Sequence, residues 1–234
     1  MKDSKHFWRW RNEAAGEDGE RTLEIGGVIA EESWYEDDVT PKMFRDELGK
    51  GTGPVTLWIN SPGGDCIAAS VIYTALRDYP GKVSVKISGI AASAASVIAM
   101  AGDTVEMSPT AMMMIHNPST LAYGDHSEMK KAIRLLSEVK ESIINAYELK
   151  TGLKRDEISR LMENETWMNA VRAVELGFAD AVMGGVEQGE ETSDSYSFSA
   201  RMGEKALMNR IAAKCEDVGG TSIAELEKRL NLLR

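Results

Sequence analysis

From Arg21 onward, strand-like and helical patterns alternate along this chain of 234 residues. Strands that alternate with helices favour a sheet of mainly parallel strands joined by crossover connections. We therefore expect an α/β fold. The predicted strands are Thr22–Ala30, Val55–Asn60, Val83–Ser88 and Ala111–His116. The helices predicted between them are Thr40–Leu48, Asp65–Asp78 and Ser93–Ala101.

A long amphipathic helix is predicted from His126 to Lys150, and Gly152 is suited to end it. Its apolar residues recur at spacings of three and four, which places them on one face. These residues are Met129, Ala132, Ile133, Leu136, Val139, Ile143 and Ala146. Two shorter helices are predicted after it, Leu153–Met162 and Ala170–Leu176.

The two ends of the chain differ in composition from the middle. Residues 1–20 are polar apart from the aromatic cluster Phe7–Trp10, and we predict an arm that either docks as a strand or contacts another subunit. Residues 187–198 have the composition of an acidic linker. Residues 199–234 predict a helical extension that packs on its own domain or binds a partner. The intervening residues 21–186 are expected to form one domain.

The composition of the chain limits the classes of partner that it can bind. The net charge of −10 argues against nucleic acid, because phosphate binding needs a basic surface. No run approaches the roughly 18 apolar residues of a membrane-spanning helix, and the N-terminus has no signal-peptide core. Cys66 and Cys215 lie far apart and outside any Cys/His cluster. We therefore expect a cytoplasmic protein with no metal, no cofactor and no membrane contact.

A glycine-rich turn, Asn60–Asp65, joins the second predicted strand to the helix that follows. Glycines allow positive φ and let a ligand approach the backbone closely. Amides exposed at a helix N-terminus hold negative charge well. Most such turns are only turns, so this one needs partners elsewhere in the chain to predict a site.

Ser93 and Ser96 interrupt the small-residue run Gly89–Gly102. Ser93 falls at the start of the predicted helix, and two roles fit it there. It is either a helix N-cap, the commoner role for a serine at such a position, or a nucleophile with the amide of Ala94 beside it. A nucleophilic serine needs a base, a group that orients the base, and an oxyanion hole.

The base has few candidates, since the chain has three histidines, His6, His116 and His126. His116 ends a predicted strand, where α/β enzymes place functional groups. It also fits a buried histidine with a structural role. The orienting carboxylate is one of several, and composition does not choose among Glu163, Glu165, Glu175 and Asp180.

Four motifs together resemble the Clp protease proteolytic subunit, ClpP, and most closely the ClpP-like head maturation proteases of tailed bacteriophages and prophages. Asn60–Gly64 is similar to the family's oxyanion turn, and Gly89–Ser93 to its G-x-A-A-S nucleophile motif. Met113–Pro118 resembles its M-I-H-x-P histidine motif, and Trp167–Asp180 its closing segment. The likeness extends over residues 23–182, and four motifs in the family's order make it specific.

The resemblance implies roles for individual residues. It selects Ser93 as nucleophile, leaving Ser96 to packing, and His116 as base. The family's acid is an Asp two residues before the aromatic of the closing segment; here that position is Glu165, with Glu163 as the fallback. The implied oxyanion donors are the backbone N–H groups of Gly64 and Ala94.

The resemblance also implies an architecture and a function. The expected fold is of the ClpP/crotonase type, with repeated ββα units, a protruding handle helix at residues 126–150 and the C-terminal helical extension. The expected activity is that of a serine endopeptidase inside a homo-oligomeric ring, double or stacked, that cleaves capsid or scaffold protein during phage head assembly. A Clp-type ATPase partner is doubtful, because residues 1–20 do not resemble the family's pore loop.

Two alternatives stay open at this point. A crotonase-like enzyme acting on an acyl thioester shares the fold and uses a glycine-rich oxyanion turn, but it needs no Ser–His pair. A catalytically inactive relative that serves as a shell component needs no site at all.

Overall fold

A computed structural model describes residues 21–30 and 41–184 of the chain. All of them belong to one unit, residues 1–190. The predicted arm at residues 1–20, the acidic linker at 187–198 and the helical extension at 199–234 lie outside the described residues. Those three predictions, and the domain boundaries that depend on them, stay predictions.

Within the described residues, seven strands form one sheet with the order β1-β2-β3-β4-β7, and β5 pairs with both β3 and β6. The pairs are parallel except β5–β6, which is antiparallel. This confirms the predicted α/β fold with a mainly parallel sheet. The strands are β1 (Arg21–Ile29), β2 (Val55–Gly64), β3 (Val83–Ala92), β4 (Thr104–Met107), β5 (Met112–Ile115), β6 (Thr166–Asn169) and β7 (Ala181–Val182).

The six helices of the described residues all coincide with predicted ones to within two residues at each end. Capping explains this agreement: the Asp65 side chain accepts the N–H of Ala68, and Asp125 accepts the N–H groups of Ser127 and Glu128. The helices are α1 (Pro41–Leu48), α2 (Cys66–Arg77), α3 (Ala94–Ala99), α4 (His126–Thr151), α5 (Arg155–Glu163) and α6 (Ala170–Glu175).

The core lies between the sheet and the helices. Alternate residues of β1, β2 and β3 are buried because successive side chains on a strand point to opposite faces. Helix α3 packs against β2 and β3, and α2 packs against α3 and α1. The strand residues of this core are Leu23, Ile25, Val55, Leu57, Ile59, Val83, Val85 and Ile87.

Strand β3 pairs with two different strands in succession. Its first half pairs with β4, and Ile90–Ala92 pairs with β5. Between the halves the register against β2 shifts, and the side chain of Asn60 fills the gap by accepting the N–H of Ile90 at 3.2 Å. A Cβ at Gly89 would lie 2.5 Å from the Asn60 Oδ1, so a larger residue there would displace this side chain from its bond to Ile90. After this bulge, the last residues of β3 lie beside β5 and pair with it.

Helix α4 is 26 residues long and ends at Gly152, which has φ 70°. Its predicted apolar face is packed only in the C-terminal half, where Ile143 and Ala146 are buried. In the N-terminal half, Met129 and Ile133 are 36% and 63% exposed. The helix is therefore anchored at one end and presents apolar side chains at the other.

Candidate active site

Ser93 occupies a turn between β3 and α3 with φ 54° and ψ −125°. This is the conformation of the first central residue of a type II′ turn, a position that glycine favours. Its N–H donates to the Met114 carbonyl of β5 at 2.9 Å. Ser93 holds the N-cap position of α3, but its side chain makes no capping hydrogen bond with the helix, so the hydroxyl is left to contact other groups.

His116 follows directly after β5, and its imidazole reaches the serine hydroxyl. Parallel pairing of Ala92 with Met114 brings the ends of β3 and β5 together. The His116 Nε2 lies 2.8 Å from the Ser93 Oγ. A neutral imidazole protonated on Nδ1 accepts the hydroxyl proton in this geometry.

The electrostatics of His116 favour a neutral ring. Burial lowers the pKa of His116 below its usual range, and the nearby Glu165 carboxylate raises it by a smaller amount. Burial disfavours the charged imidazolium, while a neighbouring negative charge stabilises it. A neutral histidine in hydrogen-bond contact with a hydroxyl is the arrangement of a general base and its nucleophile.

Glu165 reaches the same end of the sheet through β6. In the antiparallel β5–β6 pair, Ile115 lies opposite Thr166, and His116 and Glu165 are the residues that adjoin this last pair. Glu165 has φ 46°, and its Oε1 accepts the indole N–H of Trp167 at 3.2 Å. The structure thus holds Ser93 and His116 in hydrogen-bond contact and places the Glu165 carboxylate near enough to influence the charge of His116.

Glu163 is turned to a different part of the molecule. Its Oε1 pairs with the Lys140 ammonium at 2.9 Å and accepts the Ser159 hydroxyl at 3.2 Å. The Lys140 contact lowers the pKa of the Glu163 carboxyl. Among the other candidates, Glu175 pairs with Arg172 and Asp180 with Lys150.

Of the other two histidines, the structure describes only one. His126 is exposed at the start of α4, and His6 lies outside the described residues.

The glycine turn at the end of β2 lies against the Ser93–Ala94 peptide. A Cβ on Gly63 would be 2.8 Å from the Ser93 Cβ and 3.0 Å from the Ala94 nitrogen. Gly63 is buried while Gly64 is exposed, and both have positive φ, 95° and 149°. The turn therefore sits beside the serine with an open face, as an oxyanion hole requires.

Two residues that belong to the motifs, but were given no role of their own, support the site. Ser61, fully buried, donates to the Gly27 carbonyl at 2.5 Å and accepts the Gly63 N–H at 3.1 Å. Trp167 holds one oxygen of Glu165. No local pattern in the sequence distinguished these two residues, because β2 and β6 contain other polar residues as well.

Ser96 corrects an expectation. It was assigned to packing alone, and it is fully buried. Its hydroxyl nevertheless donates to the Ser93 carbonyl at 2.6 Å and lies 2.8 Å from the Tyr147 hydroxyl. Tyr147 is 51 residues away in sequence, so the spacing of residues gave no sign of this pair.

Residues 21–30 and 41–184 contain no group of three or more His, Cys, Asp and Glu side chains arranged to hold a metal ion. No helix in the same ranges is both long enough and apolar enough to span a bilayer.

The chain is similar to known proteins over most of its length. The family described as Clp protease matches residues 18–186. The ATP-dependent Clp protease proteolytic subunit of Sorghum bicolor is 31% identical over 180 residues, which cover 76% of this chain and 80% of that protein. The ATP-dependent Clp protease proteolytic subunit 1 of Chlamydia muridarum (strain MoPn / Nigg) is 29% identical over 146 residues, covering 61% and 76%.

The fold has a counterpart among solved structures. A mutant form of ClpP1 from Listeria monocytogenes superposes with a TM-score of 0.61 at 22% identity, covering 70% of this chain and 91% of that one. Together the fold and the sequence matches define a peptidase of the ClpP type. The chain belongs to the Clp protease family.

Proposed function

We propose that this chain is a serine endopeptidase with Ser93 as nucleophile, His116 as general base and Glu165 as the residue that orients the base. The observation that carries the proposal is the 2.8 Å contact between the Ser93 Oγ and the His116 Nε2. The serine stands at a turn with φ 54°, a strained conformation of the kind that clusters at active sites.

The proposed reaction is acyl transfer. His116 takes the proton from the Ser93 hydroxyl as its oxygen attacks a peptide carbonyl, and later gives that proton to the leaving amine. Water then attacks the acyl-enzyme with the same histidine as base. The backbone N–H groups of Gly64 and Ala94 stabilise the oxyanion; losing one such donor costs about 2.7–4 kcal/mol of barrier in comparable enzymes.

Glu165 has the position and the charge for the third role. It adjoins Thr166, which pairs with the residue before His116, and its negative charge raises the pKa of the imidazole. A carboxylate there stabilises the imidazolium that forms during the reaction and favours the tautomer with the proton on Nδ1. Trp167 holds one carboxylate oxygen, which helps the longer glutamate replace the family's aspartate.

The proposed substrate is a polypeptide that reaches the site inside a homo-oligomeric ring. The half-exposed apolar side chains of α4, Met129 and Ile133, support contact with further subunits. On the resemblance of its motifs, we propose capsid or scaffold protein of a phage head as the substrate and the host cytoplasm as the location. The related proteins named above are called ATP-dependent; we propose that this chain works without a Clp-type ATPase.

The 2.8 Å Ser93–His116 contact argues against the two alternatives. A crotonase-like enzyme has no use for such a pair, and an inactive shell component has no need to keep it at hydrogen-bond distance.

The direct test is covalent labelling by a fluorophosphonate probe, followed by peptide mapping. We expect the wild-type protein to label at Ser93, and Ser93→Ala and His116→Ala to lose labelling by more than about 100-fold. Ser70→Ala is the matched control, because its hydroxyl bonds only to a helix carbonyl of α2 and is exposed. Labelling elsewhere, or none, would contradict the assignment.

The ring and its substrate need a separate test. The mass of the native particle reports the number of subunits, and co-expression with candidate capsid and scaffold proteins reports cleavage with and without a Clp-type ATPase. A monomeric mass, or cleavage only with the ATPase, contradicts this part of the proposal.

A further inference from the structure

A buried pair of hydroxyls lies beneath the nucleophile and takes no part in the mechanism above. Ser96 of α3 and Tyr147 of α4 are 0% and 1% exposed, and their hydroxyl oxygens are 2.8 Å apart. The Tyr147 ring also packs edge-on against Phe178, with centroids 5.4 Å apart. Two hydroxyls in an otherwise apolar core need a reason, because burying polar groups costs free energy unless they are bonded.

The donors and acceptors of the pair follow a fixed order, from Tyr147 to Ser96 to the Ser93 carbonyl. The Ser96 hydroxyl has one hydrogen, and it donates that hydrogen to the Ser93 carbonyl at 2.6 Å. Ser96 must then accept from Tyr147, so the phenol is the donor of the 2.8 Å contact. Burial raises the pKa of Tyr147 well above its usual range, which keeps the phenol protonated.

The end of this chain of bonds is the carbonyl of the nucleophile. The Ser93 oxygen accepts both the N–H of Ser96 at 3.0 Å and its hydroxyl. That carbonyl belongs to the same planar trans peptide as the N–H of Ala94, and the two groups point in opposite directions. Holding the carbonyl towards α3 therefore directs the Ala94 N–H away from α3.

The backbone at this point would otherwise relax. Ser93 has φ 54° and ψ −125°, a conformation that a non-glycine residue keeps only where its surroundings enforce it. A rotation of the Ser93–Ala94 peptide would relieve the strain and would also turn the amide away from the neighbouring Gly63–Gly64 turn. The two bonds to the Ser93 carbonyl oppose that rotation.

We propose that Ser96 and Tyr147 are positioning residues that hold the Ala94 N–H in the orientation needed to stabilise an oxyanion. The proposal rests on the serine peptidase function proposed above. It makes helix α4 part of the catalytic apparatus, since Tyr147 is anchored in its buried half. It also gives the second serine of the small-residue run a function of its own.

The experiment compares the rate of fluorophosphonate labelling at Ser93 in Ser96→Ala, Tyr147→Phe and the double variant. Tyr147→Phe keeps the ring against Phe178 and removes only the hydroxyl. We expect labelling about 10- to 100-fold slower in each single variant, approaching the loss seen when an oxyanion donor is removed. Because the hydroxyls act in series, the double variant should be no slower than Ser96→Ala.

Matched controls separate this effect from a general loss of stability. Tyr79→Phe also removes a phenol hydroxyl bonded to backbone carbonyls, those of Gly51 and Gly53, and it should label at the wild-type rate. The thermal unfolding curve of every variant is measured first, and the labelling assay is run at a temperature where all of them are folded. The midpoint of the pH–rate profile should not move, because the Ser93–His116 contact is untouched.

The outcomes are distinguishable. If the wild-type protein does not label at Ser93, the proposed function fails. If it does, and folded Ser96→Ala and Tyr147→Phe both label at the wild-type rate, the positioning role is overturned. A slower rate accompanied by a shifted pH midpoint would place the effect on His116 instead and would overturn it equally.

Discussion

Ser93 and Glu165 are the only two non-glycine residues with positive φ in residues 21–30 and 41–184, at 54° and 46°. They stand at the ends of β3 and β6 and flank the same histidine. Non-glycine residues rarely adopt such angles, and each costs on the order of 1–3 kcal/mol. Backbone strain in the described part of the chain is thus concentrated at the proposed nucleophile and the proposed acid.

This strain predicts the relative stability of two inactive variants. Ser93→Gly should be more stable than Ser93→Ala by about 1 kcal/mol, because glycine relieves strain of about 1–3 kcal/mol. Glycine also makes the unfolded chain more flexible, which lowers the free energy of unfolding by about 0.4–1 kcal/mol and offsets part of that gain. Denaturant or thermal unfolding of the two proteins, both without the hydroxyl, measures the difference. An alanine variant of equal or greater stability would show that the turn is not strained.

The activity should depend on the protonation of His116. Burial lowers the pKa of this histidine, so the acid limb of the pH–rate profile should have its midpoint below about 6.5, the ordinary value. Activity falls as pH drops through that midpoint, because an imidazolium cannot act as base. A rate that stays flat from pH 4 to pH 8, a range of about four units around the ordinary value, would exclude His116 as the base.

The free energy of unfolding should also depend on pH through His116, and the direction of the change can be predicted. The pKa of His116 in the folded protein lies below its unfolded value. Between these two values the unfolded state binds more protons, so the free energy of unfolding decreases as pH is lowered through this window. His116→Gln should remove that part of the pH dependence in denaturant titrations.

Neutralising the acid should be costly and specific. Glu165→Gln should slow peptide hydrolysis at least about 100-fold, since replacing the orienting carboxylate of a serine protease triad by an amide costs up to about 10⁴-fold. It should also move the acid midpoint lower, because the Glu165 charge raises the pKa of His116. Glu165→Asp should retain more activity than Glu165→Gln, as it keeps the charge and suits positive φ better.

Glu163 provides the matched comparison. Glu163→Gln removes a carboxylate two residues away that pairs with Lys140. We expect it to leave the rate and the pH midpoint within about twofold of wild type, since exposed pairs contribute little. If Glu163→Gln were the damaging change and Glu165→Gln the mild one, the acid would have to be reassigned.

The glycine turn should not tolerate a side chain. In Gly63→Ala the new Cβ would meet the Ala92 carbonyl at 2.5 Å and displace the peptide next to Ser93. We expect labelling by fluorophosphonate to fall about 100-fold or more, the cost of losing an oxyanion donor. Gly184→Ala is the control, because φ there is 83° but no atom lies within 4 Å of the new Cβ. Equal effects of the two changes would attribute the loss to backbone strain alone.

Local patterns in the sequence predicted the helices and the first residues of β2 and β3, but both strands continue four residues beyond the predicted ends, to Gly64 and Ala92. The α4 boundaries came from apolar spacing and from Gly152, and the Asp65 and Gly177 positions marked other ends. The strands that were not predicted, β4, β6 and β7, have four residues or fewer. Such short segments leave too little alternation to read, and they depend on pairing with distant strands. Strand β5 is equally short but was predicted because all four of its residues are apolar.

The candidate site was predicted unevenly for the same reason. Motifs singled out Ser93 and His116, which the structure brings together, and the labelling experiment tests their roles. The choice of Glu165 over Glu163 came from the family's spacing; the Glu165 charge acts on His116, whereas Glu163 pairs with Lys140, and the role of Glu165 stays a proposal. The Ser96–Tyr147 contact joins residues far apart in the chain and left no local pattern.

Strand β5 has only four residues, yet its neighbours on both sides depend on it. A single residue inserted into Met112–Ile115 would shift both registers at once and turn every following side chain to the opposite face. The exposed stretch at residues 119–125, which leads into α4, carries no such constraint. Natural variants and engineered forms of this protein should therefore vary in length after β5 and keep the strand itself at constant length.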